Sequence, residues 1–217
     1  MKSYESNLQM EKNIKILFIG DSITDSGRRE QAYSPFGRGY VHFVANWVLA
    51  KYSDLNPIII NQGISGNTIR DLKARWQSDC LDYKPNLISI LIGINDVWRF
   101  HREPQRIPDA VPPDEYEGTY RYLLFSALEQ NNCRLILLEP FMFCTDLNNL
   151  TFKNLDIYIH IVRKLSEEFN VLLIPVQKLL NDEMQRIPAK QWACDMVHPH
   201  EWAHAWIAQR WLEYLEL

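Results

Sequence analysis

Three residues far apart in the chain have the types needed for nucleophilic catalysis. Ser22 follows a short apolar run, residues 14–19, while Asp195 and His198 lie three residues apart. A serine hydroxyl attacks a carbonyl only when a base removes its proton. A carboxylate that holds one imidazole nitrogen leaves the other nitrogen to act as that base. Taken alone, Asp195 could instead cap a helix and His198 could be an ordinary loop residue; together with Ser22 they predict an acyl-transfer site.

Two further residues could stabilise the negative charge that develops on the attacked carbonyl oxygen. Gly63 has no side chain to obstruct its backbone N–H, and Asn95 offers a side-chain amide. Each has a plain alternative, since glycine permits a positive φ angle and asparagine is common in turns. Both follow predicted strands, as Ser22 does. Their joint placement at strand ends favours an oxyanion site beside the serine.

Strand-like and helical patterns alternate along the whole chain. The predicted strands are residues 14–19, 58–60, 87–92, 134–138 and 171–174. The predicted helices are residues 40–52, a helix from 68, 114–130, 152–169, a helix through 184 and a helix from 199. This alternation predicts an α/β fold: a three-layer α/β/α sandwich with a five-stranded parallel sheet, flavodoxin-like in topology. The polar loops would then share one sheet edge, where open α/β sheets bind ligands.

One segment departs from the alternation. Residues 99–113 contain four of the chain's 11 prolines and are predicted to form neither a helix nor a central strand. Loops of this length in a compact domain are usually functional or mobile.

Length and charge limit the classes of partner. With 217 residues the chain is expected to be a single domain over 1–217, in which residues 1–13 are a polar N-terminal extension. The net charge of −4 predicts no nucleic-acid partner and no anionic membrane surface. Without a secretory signal or a run of about 20 apolar residues, we expect a cytoplasmic protein and no membrane span. The four cysteines show no C-x-x-C pair, which indicates reduced thiols.

Four short segments carry a resemblance to a known family. In chain order they resemble the four signature blocks of the SGNH hydrolases, also called GDSL esterases, and they are residues 20–22, 61–63, 93–96 and 195–198. The resemblance implies that Ser22 is the nucleophile, His198 the base and Asp195 its orienting carboxylate. It also implies an oxyanion hole formed by Ser22 N–H, Gly63 N–H and the Asn95 amide. This chemistry requires no metal or organic cofactor.

A narrower resemblance concerns the substrate. The segments FIGDSITDSGR, GRGYV, NQGISGNTIRDLKARW, SILIGINDVWR and MVHPHEWAH resemble the bacterial acetylxylan esterases of that family. This implies a small acetylated saccharide, such as an acetylated xylo-oligosaccharide, as substrate. Trp98 lies three residues after Asn95 and Trp192 three before Asp195, so either ring could border the site as a sugar platform; Asp21 is a third candidate for substrate contact.

Several alternatives remain open at this point. His200, Glu201 and His204 match the H-E-x-x-H motif of zinc proteases, although Ile207 and Arg210 stand where a metzincin continuation needs glycine and histidine. A flavin-binding module could cradle a phosphate in the loop after the first strand. A thioesterase or lysophospholipase would use the same catalytic residues. Self-association is a further hypothesis, through exposed tryptophans and the proline-rich loop.

Overall fold

The computed structural model describes residues 8–131 and 133–217. Residues 1–7 of the predicted N-terminal extension therefore lie outside the described residues. Leu8 is buried, and its N–H lies 3.4 Å from the carbonyl oxygen of Leu215. Within the described part of the chain, no helix combines the length and the apolar run needed to cross a bilayer.

A five-stranded parallel sheet forms the centre of the fold, as predicted. Its strands are β1 (Lys15–Gly20), β2 (Ile58–Gly63), β3 (Leu87–Leu91), β4 (Arg134–Leu138) and β5 (Leu172–Ile174). Their order across the sheet is β2-β1-β3-β4-β5. The chain leaves β1 toward β2 on one side, and β3 pairs on the other side of β1. The carboxyl end of β1 is thus the switch point, where a crevice opens in sheets of this topology.

Helices flank the sheet and account for most of the remaining chain. They are α1 (Ser22–Asp25), α2 (Tyr40–Lys51), α3 (Ile69–Ala74), α4 (Trp76–Asp79), α5 (Ile94–Arg102), α6 (Pro113–Asn131), α7 (Leu150–Glu168), α8 (Val176–Glu183), α9 (Ala189–Trp192) and α10 (Glu201–Tyr214). Short 3₁₀ turns occupy Ser53–Leu55, Leu81–Tyr83 and Pro104–Asp109. Helices α2 and α10 pack on each other, and α6 packs on α3 and α7. Together with the sheet they form the predicted α/β/α sandwich.

The apolar runs of the strands fill the core between the helix layers. Every residue of β3 is buried, including the polar Ser89. Its hydroxyl accepts a hydrogen bond of 3.0 Å from the indole N–H of Trp211 in α10. Because a buried hydroxyl without a partner is costly, this bond explains how a serine is tolerated in a central strand.

The prediction that residues 99–113 contain no helix is wrong. Helix α5 continues to Arg102, and the 3₁₀ turn Pro104–Asp109 follows it. No proline lies within residues 94–102, and Pro104 stands in the first turn of the 3₁₀ segment, where its missing N–H costs no hydrogen bond. Pro108 lies inside this 3₁₀ turn and Pro113 is the first residue of α6, so the prolines allow helical turns in this segment.

Candidate active site

Ser22 is the first residue of α1, a single helical turn directly after β1. The turn is capped by Asp21, whose Oδ1 accepts a 3.0 Å hydrogen bond from the N–H of Ile23. Asp21 is 1% exposed, and within the described residues its Oδ2 has no hydrogen-bond partner. Burial raises the pKa of the Asp21 carboxyl to about 7, against the lowering effect of the Ile23 N–H and of His198. Asp21 is therefore a buried cap of the Ser22 turn, and the substrate contact suggested for it by the sequence stays a prediction.

The structure brings Ser22, His198 and Asp195 into one hydrogen-bonded chain. Ser22 Oγ lies 2.9 Å from His198 Nε2, although the two residues are 176 positions apart. His198 Nδ1 lies 2.6 Å from Asp195 Oδ2. A proton on Nδ1 faces the carboxylate in this arrangement, which leaves the Nε2 lone pair to accept the serine proton.

Backbone contacts fix the Asp195 carboxylate. Its Oδ1 accepts the N–H of Val197 at 2.9 Å and the N–H of His198 at 2.8 Å. Partial burial raises the pKa of this carboxyl, but the hydrogen bonds from the His198 ring and from the two backbone N–H groups outweigh that effect. The net pKa lies below its usual value, so Asp195 is ionised at neutral pH.

Gly63 stands at the predicted sheet edge, but its N–H is already used. It donates a 2.9 Å hydrogen bond to Asn61 Oδ1. The amide nitrogen of Asn61 donates in turn to the carbonyl oxygens of Thr24 and Phe36. A Cβ atom at Gly63 would lie 2.1 Å from the backbone nitrogen of Asp25 in α1. The absent side chain thus allows close packing of α1 on β2, and the N–H is not free for an oxyanion in this structure.

The Asn95 amide contacts the loop at the residue next to Gly66, a glycine for which the sequence analysis predicted no role. Asn95 Nδ2 donates a 3.0 Å hydrogen bond to the carbonyl oxygen of Asn67, the residue after Gly66. The N–H of Asn67 bonds to the carbonyl oxygen of Ile64, which closes a turn with Gly66 at φ +81°. A turn of this kind favours glycine at that position. The N–H of Gly66 has no hydrogen-bond partner among the described residues.

Buried ionisable side chains hold the peptide groups of the β2–α3 loop, residues 64–68. Asp25 Oδ2 accepts hydrogen bonds of 2.9 Å from both the N–H and the hydroxyl of Ser65. The guanidinium of Arg99 donates to the carbonyl oxygen of Gly66. Just after the loop, Asp96 Oδ1 accepts the N–H of Ile69 at 2.9 Å. Asp25, Asp96 and Arg99 are each at most 4% exposed, so these contacts are shielded from water.

The geometry and the comparison with known proteins agree on the family. A model of the GDSL-like lipase/acylhydrolase family matches residues 18–206. The chain belongs to this family.

Relatives within the GDSL family span nearly all of the chain. An acetylxylan esterase of Geobacillus stearothermophilus is 39% identical over 202 residues, which cover 91% of this chain and 92% of that protein. The crystal structure of Axe2, an acetylxylan esterase from the same organism, superposes with a TM-score of 0.90 at 36% identity over 97% of each chain. LAE5, an alpha/beta hydrolase from the metagenome of Lake Arreo, superposes with a TM-score of 0.89 at 33% identity over 96% of this chain and 98% of its own.

Solved variants of Axe2 described as catalytic mutants replace a serine, a histidine or an aspartate by alanine. The aspartate precedes the histidine by three positions in that protein, as Asp195 precedes His198 here.

Arg75 connects the carboxyl ends of β1 and β2 with the β2–α3 loop. Its guanidinium donates to the carbonyl oxygen of Gly20 at 3.0 Å, to that of Gln62 at 2.8 Å and to Asn67 Oδ1 at 2.7 Å. Burial lowers the pKa of this guanidinium, and the neighbouring Asp79 carboxylate opposes that shift. Sequence reasoning missed this residue because α3 shows only an ordinary amphipathic pattern around it.

The two predicted sugar platforms differ in the structure. Trp192 is 1% exposed, and its ring packs against Phe143, Trp202 and Trp206 at centroid distances of 5.9, 4.5 and 5.4 Å. A ring enclosed in this way offers no free face, so the prediction for Trp192 is corrected to a core role. Trp98 is partly buried, and the Arg102 guanidinium lies 5.6 Å from its ring centroid.

The two histidines of the H-E-x-x-H motif have separate partners. His204 Nδ1 accepts a 3.2 Å hydrogen bond from the N–H of Tyr40, and burial lowers the pKa of His204 to about 4. His200 Nε2 lies 3.5 Å from the thiol of Cys194. Across the described ranges, no three His, Cys, Asp or Glu side chains stand close enough together to hold a metal ion. Of the motif's residues, His204 is buried at the contact between α10 and α2, whereas Glu201 is exposed.

Proposed function

We propose that the protein is a serine esterase that removes O-acetyl groups from carbohydrate, with acetylated xylo-oligosaccharides as its substrate class. The hydrogen-bonded chain from Ser22 through His198 to Asp195 carries this proposal, because it supplies a nucleophile, a base and an orienting carboxylate within 2.9 Å and 2.6 Å contacts. The substrate class is supported by the acetylxylan esterase that matches 91% of the chain.

The first half of the reaction transfers the acetyl group to the enzyme. Ser22 Oγ attacks the acetyl carbonyl carbon while His198 Nε2 takes the hydroxyl proton. The carboxylate of Asp195 stabilises the imidazolium that forms. His198 then protonates the departing sugar oxygen. The products of this half are a free sugar hydroxyl and an acetyl ester on Ser22.

The second half returns the enzyme to its starting state. His198 removes a proton from water, whose oxygen attacks the acetyl carbon; the bond to Ser22 Oγ then breaks, His198 returns the proton to Oγ, and acetate is released. In both halves a negative charge develops on the carbonyl oxygen. We propose that Ser22 N–H, Asn95 Nδ2 and Gly66 N–H stabilise it, with Gly66 in place of Gly63 because the Gly63 N–H is held by Asn61.

A lysophospholipase or thioesterase of the same family is the second candidate, since the catalytic residues serve any acyl group. Hydrolysis rates on aryl esters of increasing acyl length separate the two: an acetyl esterase loses activity as the chain lengthens, and a lipase-type enzyme gains it. The cytoplasmic location and the self-association expected from the sequence stay predictions.

Acetate release from acetylated xylo-oligosaccharides tests the proposal. Wild-type protein is expected to release acetate. In Ser22→Ala, kcat is expected to fall at least about 10⁴-fold because the nucleophile is gone. An aryl acetate is assayed in parallel, and the folding of Ser22→Ala is checked by thermal unfolding. Activity on the aryl ester without acetate release from the oligosaccharide would refute the substrate class and leave the catalytic roles standing. Full activity in Ser22→Ala would refute both.

A further inference from the structure

A surface cleft of about 320 Å³ lies outside the catalytic residues, since Ser22, Asp195 and His198 are not part of its lining. It lies between the loop after α1, the outer face of α2 and the first residue of α10. Its lining includes two aromatic and four polar side chains: Tyr33, Phe36, Arg38, His42, Asn46 and Glu201. Its volume is within the range that binds small organic ligands.

Both walls of the cleft are connected to the catalytic residues. On one wall, the N–H of Arg38 donates a 2.9 Å hydrogen bond to the carbonyl oxygen of Ser26, which ends the helical turn that begins at Ser22. On the other wall, Glu201 follows His198 by three residues, which is at most about 10 Å of extended chain. A ligand in the cleft would therefore lie within a few sugar residues of the Ser22 hydroxyl.

The polar groups of the cleft are free to bind hydroxyl groups. Among the described residues, the guanidinium of Arg38 and the carboxylate of Glu201 form no hydrogen bond or ion pair. Asn46 donates one amide hydrogen to the carbonyl oxygen of His42 at 2.7 Å, and its Oδ1 accepts no hydrogen bond from the described part of the chain. One positive and one negative side chain leave the cleft without net charge. This composition fits a neutral polyhydroxyl ligand and offers little to an anion or a long acyl chain.

Tyr33 gives the cleft an aromatic surface. Its side chain is 38% exposed, and the Arg38 guanidinium lies 5.4 Å from the ring centroid. This cation–π contact restrains the ring, which lowers the entropy lost when a ligand packs on it. Aromatic rings bury the apolar C–H faces of sugars, while planar polar groups bind their hydroxyls.

We propose that this cleft is a saccharide subsite, which binds the sugar residues next to the one whose acetyl ester Ser22 attacks. The inference rests on the proposed function, because it assigns the oligosaccharide part of that substrate to a place in the fold. It makes Tyr33 and Asn46 specificity-determining residues for chain length, and it places the acetyl group itself outside the cleft.

The test compares two substrates in the same variants. The ratio of kcat/KM for an acetylated xylotetraose to kcat/KM for an aryl acetate is expected to fall about tenfold in Tyr33→Ala and in Asn46→Ala, mostly through KM for the oligosaccharide. Tyr122→Ala is the matched control: Tyr122 is 52% exposed, and Lys73 lies 5.2 Å from its ring on a different surface. This control should keep the wild-type ratio.

Each outcome decides between the proposals. Equal loss on both substrates, or an unchanged ratio in both cleft variants, would refute the subsite while leaving the deacetylase proposal intact. Wild-type protein that hydrolyses the aryl acetate but not the xylotetraose ester would refute the deacetylase proposal and the subsite together. A calorimetric titration with unacetylated xylotetraose gives a readout that does not depend on catalysis: heat of binding is expected for the wild type and is expected to vanish in Tyr33→Ala.

Discussion

The two sides of the candidate site are built differently. On the base side, the Asp195 and His198 side chains are 52% and 57% exposed, and the contacts that fix Asp195 come from within three residues. On the oxyanion side, Asp25 and Arg99 are 4% exposed and reach 40 and 33 residues along the chain to the β2–α3 loop. The base side is formed by residues close in sequence and is exposed to solvent. The oxyanion side is assembled from distant segments and is shielded from water.

The chemistry explains this difference. Donors to an oxyanion work best when they are fixed beforehand in a site that excludes water. In the proposed mechanism the base exchanges protons with the leaving sugar and then with water, so solvent access to His198 would serve the second half of the reaction. We therefore expect substitutions on the two sides to differ in which property they change as well as in the size of the effect.

The largest effect outside the nucleophile is expected on the base side. Asp195→Asn removes the negative charge beside Nδ1 and favours the wrong tautomer of His198, so kcat should fall by about 10³ to 10⁴. Thermal unfolding should change little, because the side chain is half exposed. A loss of only tenfold in kcat would mean that solvent can replace Asp195, and the role proposed for Asp195 on the base side would be wrong.

Asn95→Ala tests the oxyanion side. Removing one donor to the developing charge should lower kcat by about 10² to 10³ with a smaller change in KM. Steady-state kinetics on an aryl acetate measure both constants. Equal and mild losses in Asn95→Ala and Ser22→Ala would contradict the roles proposed for both residues.

Asp25→Asn tests whether the buried anchors position the donors. The uncharged amide oxygen accepts the two hydrogen bonds from Ser65 more weakly than the carboxylate does, so the turn that carries Gly66 should loosen. We expect kcat to fall about tenfold while KM stays within about twofold, since charge-assisted hydrogen bonds of this kind contribute about 1.5–3 kcal/mol.

Arg29→Ala is the control for Asp25→Asn. Arg29 is 62% exposed and contacts the Asp25 carboxylate at 3.5 Å. A surface pair of this kind contributes little, so Arg29→Ala should retain wild-type kinetics. Losses of similar size in the two variants would indicate that Asp25 acts through Arg29 and not through the β2–α3 loop.

The smallest expected effect concerns stability and not rate. Burial raises the pKa of the Asp96 carboxyl to about 7, whereas an aspartate in the unfolded chain titrates near 4. Between these values the folded protein keeps a proton that the unfolded chain releases, so wild-type stability falls as pH rises from about 4 to 7. Asp96→Asn keeps an acceptor for the Ile69 N–H and removes this titration.

Thermal unfolding of Asp96→Asn and wild type across pH 4 to 8 measures this effect. The Tm difference should shift in favour of the variant by several degrees as pH rises, at about 2–4 °C per kcal/mol for a chain of this size. A Tm difference that is constant over this range would show that the Asp96 carboxyl does not titrate there.

The sequence predicts the local side of the site better than the assembled side. The position of Ser22 at a strand end and the three-residue spacing of Asp195 and His198 were enough to group these residues, because a serine nucleophile needs a base and an orienting carboxylate. The anchors Asp25, Arg75 and Arg99 carry no comparable signal, since their partners are peptide groups of distant segments. The same reason explains why the sequence did not show that the Gly63 N–H is already hydrogen-bonded. The position of Gly63 in a signature block is visible in the sequence, but the contact of its N–H with Asn61 depends on the folded loop.

Aromatic residues show a similar limit. Spacing from Asp195 placed Trp192 near the site along the chain, but only the packing of α9 against α10 reveals that its ring is enclosed. By contrast, Trp202 is 44% exposed although it lies on the same helix as the fully buried Trp211. Periodicity predicts which positions share a helix face, and it does not determine where along the helix the core ends.

The close packing of α1 on Gly63 has a consequence for mutational scanning. A methyl group at position 63 would displace the turn that carries Ser22, whereas one at Gly118 would meet no atom within 4 Å. In a library selected for esterase activity, position 63 would therefore tolerate substitution as poorly as the nucleophile does, for reasons of shape alone. Intolerance at this glycine would measure the space between a helix and a strand, and a map of essential positions would overstate the number of residues that take part in the chemistry.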